Sequence, residues 1–308
     1  MKKLSIVVPC YNEQQNVGNF YHETQKYLEE LPIHIEYVFI DDGSQDETLS
    51  ILRELAEQDG NVHYISFSRN FGKEAAILAG FQYASGDAVI LIDVDLQHPP
   101  SLIPTMWRHF EEGYDQVIAK RNRIGEKFVR RKMTNLYYHS INRLVDVTIT
   151  DGVGDFRLLS RQALDALLKM TEYNRFSKGL FAWIGFHEKV IEYDNQLRLN
   201  GKSKWSFNSL LNYGMDGILS FNNKPLRIAI YSGMLITLCG FIYILITLIN
   251  YFLHGIDTPG YFTTISAIIV LGGIQLLFLG IIGEYIGRIY YETKRRPQYL
   301  IKEKSNGE

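Results

Sequence analysis

Four short apolar runs, Leu4–Val8, Ile35–Ile40, Val62–Phe67 and Ala88–Ile92, alternate along the first third of the chain with helical patterns near 14–30, 46–58 and 73–84. Strand-length apolar runs separated by amphipathic helices read as βαβ units, and a chain of such units closes into a mostly parallel sheet covered by helices. The expected fold class is therefore α/β. Ser44 with Glu47, ahead of Leu49, Leu52 and Leu55, has the spacing of a capping box opening the second helix.

The pattern changes after Leu226. From there to Leu253 runs a stretch of about 28 residues with no Asp, Glu, Lys or Arg after Arg227. As a helix it measures roughly 40 Å, enough to span a bilayer with some tilt. Tyr261 to Ile282 repeats the pattern, and His254-Gly255-Ile256-Asp257-Thr258-Pro259-Gly260 lies between as a short turn. The outer flanks are basic: Lys202, Lys204, Lys224 and Arg227 before, Lys294, Arg295, Arg296, Lys302 and Lys304 after. The positive-inside rule then places both termini in the cytosol and the turn outside. The expected organisation is an α/β domain over 1–200, an interfacial amphipathic segment over 201–225 and a first transmembrane helix over 226–253. An external turn over 254–261, a second transmembrane helix over 262–290 and a basic cytosolic tail over 291–308 complete it. Gly280, Gly283 and Gly287 recur at helical spacing, which suits close helix packing and a homo-oligomer, up to a tetramer.

Composition narrows the chemistry. A formal charge of -2 over 308 residues gives no support for a nucleic-acid partner. Cys10 and Cys239 are the only cysteines, so a disulfide framework and a thiolate zinc site are both disfavoured. No apolar segment of signal-peptide length follows Met1-Lys2-Lys3, and the first domain is expected to stay in the cytosol. The eight histidines show no metal-ligand spacing, and His98 alone lies beside the acidic motif described next.

Each strand is followed by a polar turn: Pro9-Cys10-Tyr11-Asn12-Glu13, Asp41-Asp42-Gly43-Ser44, Ser68-Arg69-Asn70-Phe71-Gly72-Lys73, and Asp93-Val94-Asp95-Leu96-Gln97. Ligands of open α/β sheets bind outside the carboxyl ends of the strands, so four such turns on one edge make a candidate site. There is no G-x-G-x-x-G after the first strand and no Walker A loop, which disfavours a dinucleotide dehydrogenase or a P-loop NTPase. Asp93, Asp95 and Gln97 alternate along an extended segment and offer hard oxygen donors to Mg²⁺ or Mn²⁺, which would stabilise a diphosphate leaving group. The bland alternative is a polar turn capping the helix after Pro99-Pro100.

Together these residues resemble the family 2 glycosyltransferases of the GT-A fold, whose signatures are P-x-Y-N-E, D-D-G-S and D-x-D-L-Q-x-P-P. The whole chain looks closer still to the polyisoprenyl-phosphate hexose transferases, among them the bactoprenol glucosyltransferases, with dolichyl-phosphate mannose synthases as distant relatives. Ser68–Ala76, Ala119–Arg121, Gly154–Leu158 and the two C-terminal spans carry that likeness. It implies that Pro9, Tyr11, Glu13 and Asp41 hold the nucleotide, and that Asp93, Asp95 and Gln97 surround the metal and diphosphate, with Val94 where many relatives have alanine. It further implies that Arg121 reaches the sugar or diphosphate, that Arg198 and Lys204 belong to a loop closing over the phosphates, and that Asp155 is the catalytic carboxylate. The other reading of Asp155 is an N-cap for a helix over Arg157–Met170. No Q-x-x-R-W segment of the processive polysaccharide synthases is present.

The resemblance implies inverting transfer of a single hexose, glucose or N-acetylglucosamine, from a UDP-sugar to undecaprenyl phosphate on the cytosolic face of a bacterial plasma membrane. A separate flippase and a downstream transferase would then handle the lipid-linked sugar. A phosphate monoester is already anionic at neutral pH, its second pKa being about 6, so such an acceptor needs no general base. The basic amphipathic stretch holding Arg130 and Arg131, with Val129, Met133, Leu136 and Tyr137 on its other face, suits an acceptor phosphate or the lipid bilayer surface. Two alternatives stand beside this: an anchored transferase acting on a saccharide or protein, and a membrane protein that senses nucleotide sugars without turnover.

Overall fold

The structure is a computed structural model and describes residues 1–29, 31–122, 153–194, 224–254 and 260–305. In chain order the elements are β1 Lys3–Cys10, α1 Val17–Leu28, β2 His34–Asp41, α2 Thr48–Gln58, β3 Val62–Phe67, α3 Lys73–Tyr83 and β4 Ala88–Leu91. They continue with α4 Ile103–Glu111, β5 Gln116–Arg121, β6 Val153–Ser160, α5 Arg161–Leu168, α6 Ser177–Trp183 and β7 Glu188–Tyr193. Two long helices, α7 Lys224–His254 and α8 Tyr261–Lys294, precede the last strand, β8 Ile301–Lys304.

The strands form one sheet in the order β7-β5-β6-β4-β1-β2-β3-β8. β1 pairs in parallel with β2 and β4, β2 with β3, and β5 with β7, while β6 and β8 run antiparallel to their neighbours. The central strands are apolar on both faces because each face carries a helical layer. On one side Leu4, Ile6 and Val8 of β1 pack with Phe20 and Tyr21 of α1, Leu52 of α2 and Trp107 of α4. On the other, Val7, Val38 and Leu91 meet Ala76, Ile77 and Phe81 of α3 and Leu164 of α5. Helix α3 lies so close to β1 that a Cβ on Gly80 would come within 2.2 Å of Val7 Cγ1.

Two expectations about helix starts fail here. The second helix begins at Thr48 with no side-chain cap at Glu47, because Ser44 Oγ instead accepts from Asn12 N across the sheet edge (2.9 Å). The segment after Gly154 is strand through Ser160, so Asp155 is not an N-cap; Ser160 caps α5, its Oγ accepting from Ala163 N (3.1 Å). Pairing with β4 and β5 on both edges outweighs the helical periodicity of 157–170.

The tail, which in sequence shows only its basic residues, adds β8 to the sheet edge beside β3. Glu303 takes a two-pronged contact from Arg53 (2.8 and 2.7 Å), and the Tyr299 ring stacks on Phe67 at 4.8 Å. The end of α8 is held too: Tyr173 N donates to Glu292 Oε1 (2.7 Å) and Gln298 Nε2 to the Glu172 carbonyl (2.7 Å). Apolar side chains of α7 and α8 such as Met234, Leu235, Leu276 and Leu279 stand exposed. Among the described residues, Val270–Lys294 is long and apolar enough to cross a membrane, and Tyr231–Gly240 is a shorter apolar stretch.

Candidate active site

The turns at the carboxyl ends of β1, β2 and β3 are laced together by hydrogen bonds from backbone and side-chain amides. Gln45 N donates to Asn12 Oδ1 (2.8 Å), Glu13 N to Thr48 Oγ1 (2.8 Å) and Asn16 Nδ2 to Glu13 Oε2 (2.6 Å). Asn12 itself sits at φ 52, a left-handed conformation that asparagine tolerates better than most residues. Asp41, only 1% exposed, accepts from Ser44 N (3.0 Å) and Ser66 Oγ (2.6 Å). One oxygen therefore braces the turn after β2 and the other ties it to β3. Asp42 accepts from Phe71 N (2.6 Å) and Gly72 N (2.9 Å), fixing the chain immediately before α3. Burial pushes the Asp42 pKa up to about 6 even though those two amides and Arg69 pull it down. Between them Gly43, at φ +67, lies so near the Arg69 backbone that a Cβ would come within 2.4 Å of its carbonyl carbon. Glycine is required there on both counts.

The charged centre forms where β4, β6 and the start of α3 meet. Lys73 Nζ lies 2.7 Å from Asp93 Oδ1 and 2.7 Å from Asp155 Oδ2, bridging two carboxylates that would otherwise repel. Burial alone would lower the Lys73 pKa, but Asp155 and Asp93 outweigh it and hold the ammonium above its ordinary value. Burial would likewise raise Asp155, yet Lys73, Lys178 and Arg157 keep its carboxyl well below the usual range. Asp155 is thus ionised, paired and a weak base.

On the near side, His98 Nδ1 contacts the Tyr193 hydroxyl (2.6 Å) and its Nε2 lies 3.8 Å from Asp93 Oδ2. Burial pushes the imidazole down despite Asp93 and Asp95, and pushes the Tyr193 phenol up to about 12. Tyr193 is the register partner of Arg121 across β5 and β7, so Arg121 ends its strand on the same edge. Asp95 Oδ1 accepts from Gln97 N (3.1 Å), and the turn passes through Leu96 at φ 57, a strained conformation for a branched side chain. Val94 is buried beneath it.

The sheet therefore brings Pro9, Tyr11, Glu13, Asp41, Asp93, Asp95, Gln97, Arg121 and Asp155 to one edge. Arg130, Arg131, Arg198 and Lys204 lie outside the described residues. Sequence reasoning gave no role to Lys73, to Tyr193 as partner of His98, or to Glu74, whose carboxylate accepts from Ser177 N (3.2 Å) and Ser177 Oγ. One local signal was available. A lysine at the first position of a helix opposes the helix dipole, so Lys73 breaks a local rule as functional residues often do.

Asp93 and Asp95 offer hard oxygen donors suited to Mg²⁺ or Mn²⁺. Among the described residues no group of three His, Cys, Asp or Glu side chains is placed to cage a metal ion.

The sequence pattern of glycosyl transferase family 2 matches residues 5–168, the span that builds β1 to α5 and this centre. The chain belongs to glycosyl transferase family 2. The GtrB C-terminal hairpin pattern matches residues 224–289, which are α7 and most of α8. A Bacillus subtilis (strain 168) protein provisionally named as the glycosyltransferase CsbB is 58% identical over 300 residues, covering 97% of this chain and 91% of that protein. The bactoprenol glucosyl transferase of Shigella phage SfII is 42% identical over 306 residues, covering 99% of each. Among solved structures, a Mycobacterium tuberculosis glucosyl-3-phosphoglycerate synthase in complex with Mn²⁺, UDP-glucose and phosphoglyceric acid aligns at a TM-score of 0.47. It is 19% identical, over 71% of this chain and 79% of that one.

Proposed function

We propose that this family 2 enzyme transfers a single glucose from a UDP-sugar to undecaprenyl phosphate at the cytosolic face of the membrane. N-acetylglucosamine is the alternative sugar. The observation that carries the acceptor assignment is the Lys73–Asp155 ion pair at 2.7 Å. A hydroxyl acceptor needs a carboxylate free to take its proton, whereas Asp155 is neutralised by an ammonium and holds its proton poorly. A phosphate acceptor arrives deprotonated and asks for a cation instead. The full-length likeness to proteins named as bactoprenol glucosyl transferases supports the same reading.

An acceptor phosphate oxygen attacks the anomeric carbon with inversion, forming the new C–O bond. The bond from that carbon to the nucleoside diphosphate breaks, and the electron pair leaves with the diphosphate; no proton changes hands. Asp93, Asp95 and Gln97 would hold a divalent cation, which would supply charge neutralisation for the leaving diphosphate. The chain's own work is positional: Asp41 and Asp42 brace the turns, Arg121 stands at the sugar edge, and Lys73 balances charge beside Asp155. Arg198 and Lys204 are assigned to the donor phosphates, and Arg130 and Arg131 to the acceptor.

The hairpin α7–α8 is read as two membrane passes with both termini cytosolic. Helix α8 spans 34 residues, about 51 Å at 1.5 Å each, against a hydrocarbon core of about 30 Å. The surplus turns suit a cytosolic stalk, and it is there that Tyr173 ties the helix to the catalytic domain, with Gln298 holding the segment just after it.

The deciding experiment is single-turnover transfer by the purified full chain. Radiolabelled UDP-sugars are offered with undecaprenyl phosphate in detergent, and separately with saccharide and protein acceptors. Label in an organic-soluble, acid-labile product from UDP-glucose supports the reading. Label only in a saccharide or protein product refutes it.

A further inference from the structure

We propose that Lys73 is a transferable counter-ion: it holds Asp93 and Asp155 together before ligands arrive and then passes to an oxygen of the acceptor phosphate when a divalent cation takes Asp93. The proposal rests on the phosphate-acceptor reading above.

Three observations meet at this residue. The first is the bridge, with one ammonium 2.7 Å from a carboxylate in the turn after β4 and from one on β6. Asp93 is also the first carboxylate of the D-x-D turn that follows β4, so a divalent cation and Lys73 compete for the same carboxylate. Once a doubly charged ion is bound, the ammonium is both displaced and repelled. The second is its mounting. Lys73 opens α3 directly after Gly72, at φ +99, and the two amides before it are clamped by Asp42. The backbone origin of the side chain is therefore fixed, while the side chain keeps 40% of its surface exposed. A cation at a helix N-terminus gains nothing from the dipole, so only the anions before it keep it there.

The third observation is Asp155, which stays in place whichever ligand is bound. An acceptor phosphate approaching this carboxylate meets like charge, and a cation must stand between them. Lys73 already touches Asp155, so it need move only from Asp93 toward the incoming phosphate to bridge that oxygen and Asp155. It is then a catalytic residue that touches substrate, and the same ammonium serves the empty and the loaded site.

The test uses the full chain in detergent with Lys73→Met, and Lys73→Gln as a second neutral variant should the first fail to fold. Folding is followed by Trp fluorescence. Binding of Mn²⁺ alone is measured by loss of the free-ion electron paramagnetic resonance signal. Removing the competing ammonium should tighten Mn²⁺ about tenfold, while the KM for undecaprenyl phosphate rises about tenfold or more. The KM for the UDP-sugar should change by less than about threefold. Loss of a nearby positive charge would weaken both anionic substrates, so a raised lipid KM beside an unchanged UDP-sugar KM is what assigns the contact to the acceptor. Unchanged or weaker Mn²⁺ binding overturns the exchange, and a raised UDP-sugar KM with normal lipid KM reassigns Lys73 to the donor diphosphate and overturns the acceptor role. If the wild-type chain glycosylates no lipid phosphate, the proposed function itself falls, while Mn²⁺ binding still reads the exchange separately.

Discussion

Replacing Asp42 with Asn should stabilise the catalytic domain at neutral pH and at the same time slow it. Asp42 is 4% exposed, and burial raises its pKa from the usual 3.8 to about 6. An acid whose folded pKa is raised favours folding when neutral, so its burden is absent below the unfolded pKa and fully present above the folded one. The difference amounts to about 3 kcal/mol at pH 7.5 and about 1 kcal/mol at pH 4.5. Asn is close to the neutral acid in shape, so Asp42→Asn should gain much of that margin at pH 7.5 and little at pH 4.5. It keeps one acceptor oxygen and turns an amide nitrogen toward the other donor, so either Phe71 N or Gly72 N loses its partner, which costs about 1–3 kcal/mol. The net effect at pH 7.5 then lies between neutral and about 2 kcal/mol stabilising. Activity should nonetheless fall, because those two amides set the position from which Lys73 reaches Asp93 and Asp155. Urea unfolding in detergent, followed by Trp fluorescence including buried Trp107, measures the stability at both pH values. A stability difference between Asp42→Asn and wild type that does not grow from pH 4.5 to pH 7.5 refutes the reasoning. So does full activity in a variant whose loop has lost one of its two anchors.

Asp95→Asn should abolish transfer while the protein remains folded and membrane-bound, and excess EDTA should do the same to wild type; activity surviving either treatment removes the metal from the scheme. Ile301→Pro should unseat β8, since proline cannot give its amide to the edge ladder, and should bare Phe67 and the β3 edge. Limited proteolysis should then cut the tail near Arg295 and Arg296 many times faster, and equal cutting rates would show that the strand contributes no protection. A cysteine replacing Thr258, on a Cys10→Ser, Cys239→Ser background, should react with an impermeant thiol reagent from outside intact cells. One replacing Ser305 should react only after lysis, and the reverse pattern overturns the two-pass orientation.

The amino-acid sequence by itself determined what depends on near neighbours in the chain. Residues buried on both faces must be apolar in succession, so the first four strands were legible to within two residues, and the three helices between them to within three. Polar turns after each of those strands marked the edge proposed to bind ligands, and the D-x-D spacing marked Asp93 and Asp95 as candidate oxygen donors. Long uncharged stretches marked the two helices of the hairpin. Only the tertiary structure could decide what depends on distant partners. Lys73 meets Asp155 across 82 residues, and Arg53 meets Glu303 across 250. Nothing in the period of either segment encodes such a meeting, because it follows from the order in which strands line up in the sheet. The same cause explains the two misread helix starts. Ser44 had two possible partners, and the proximity of Asn12 on the neighbouring turn decided between them. Residues 157–160 carry a helical period, but the open edges of β4 and β5 offered a ladder of hydrogen bonds that a helix would have left unpaired. Asp155 consequently projects from a strand beside Lys73, and that placement distinguishes a counter-charged carboxylate from a helix cap.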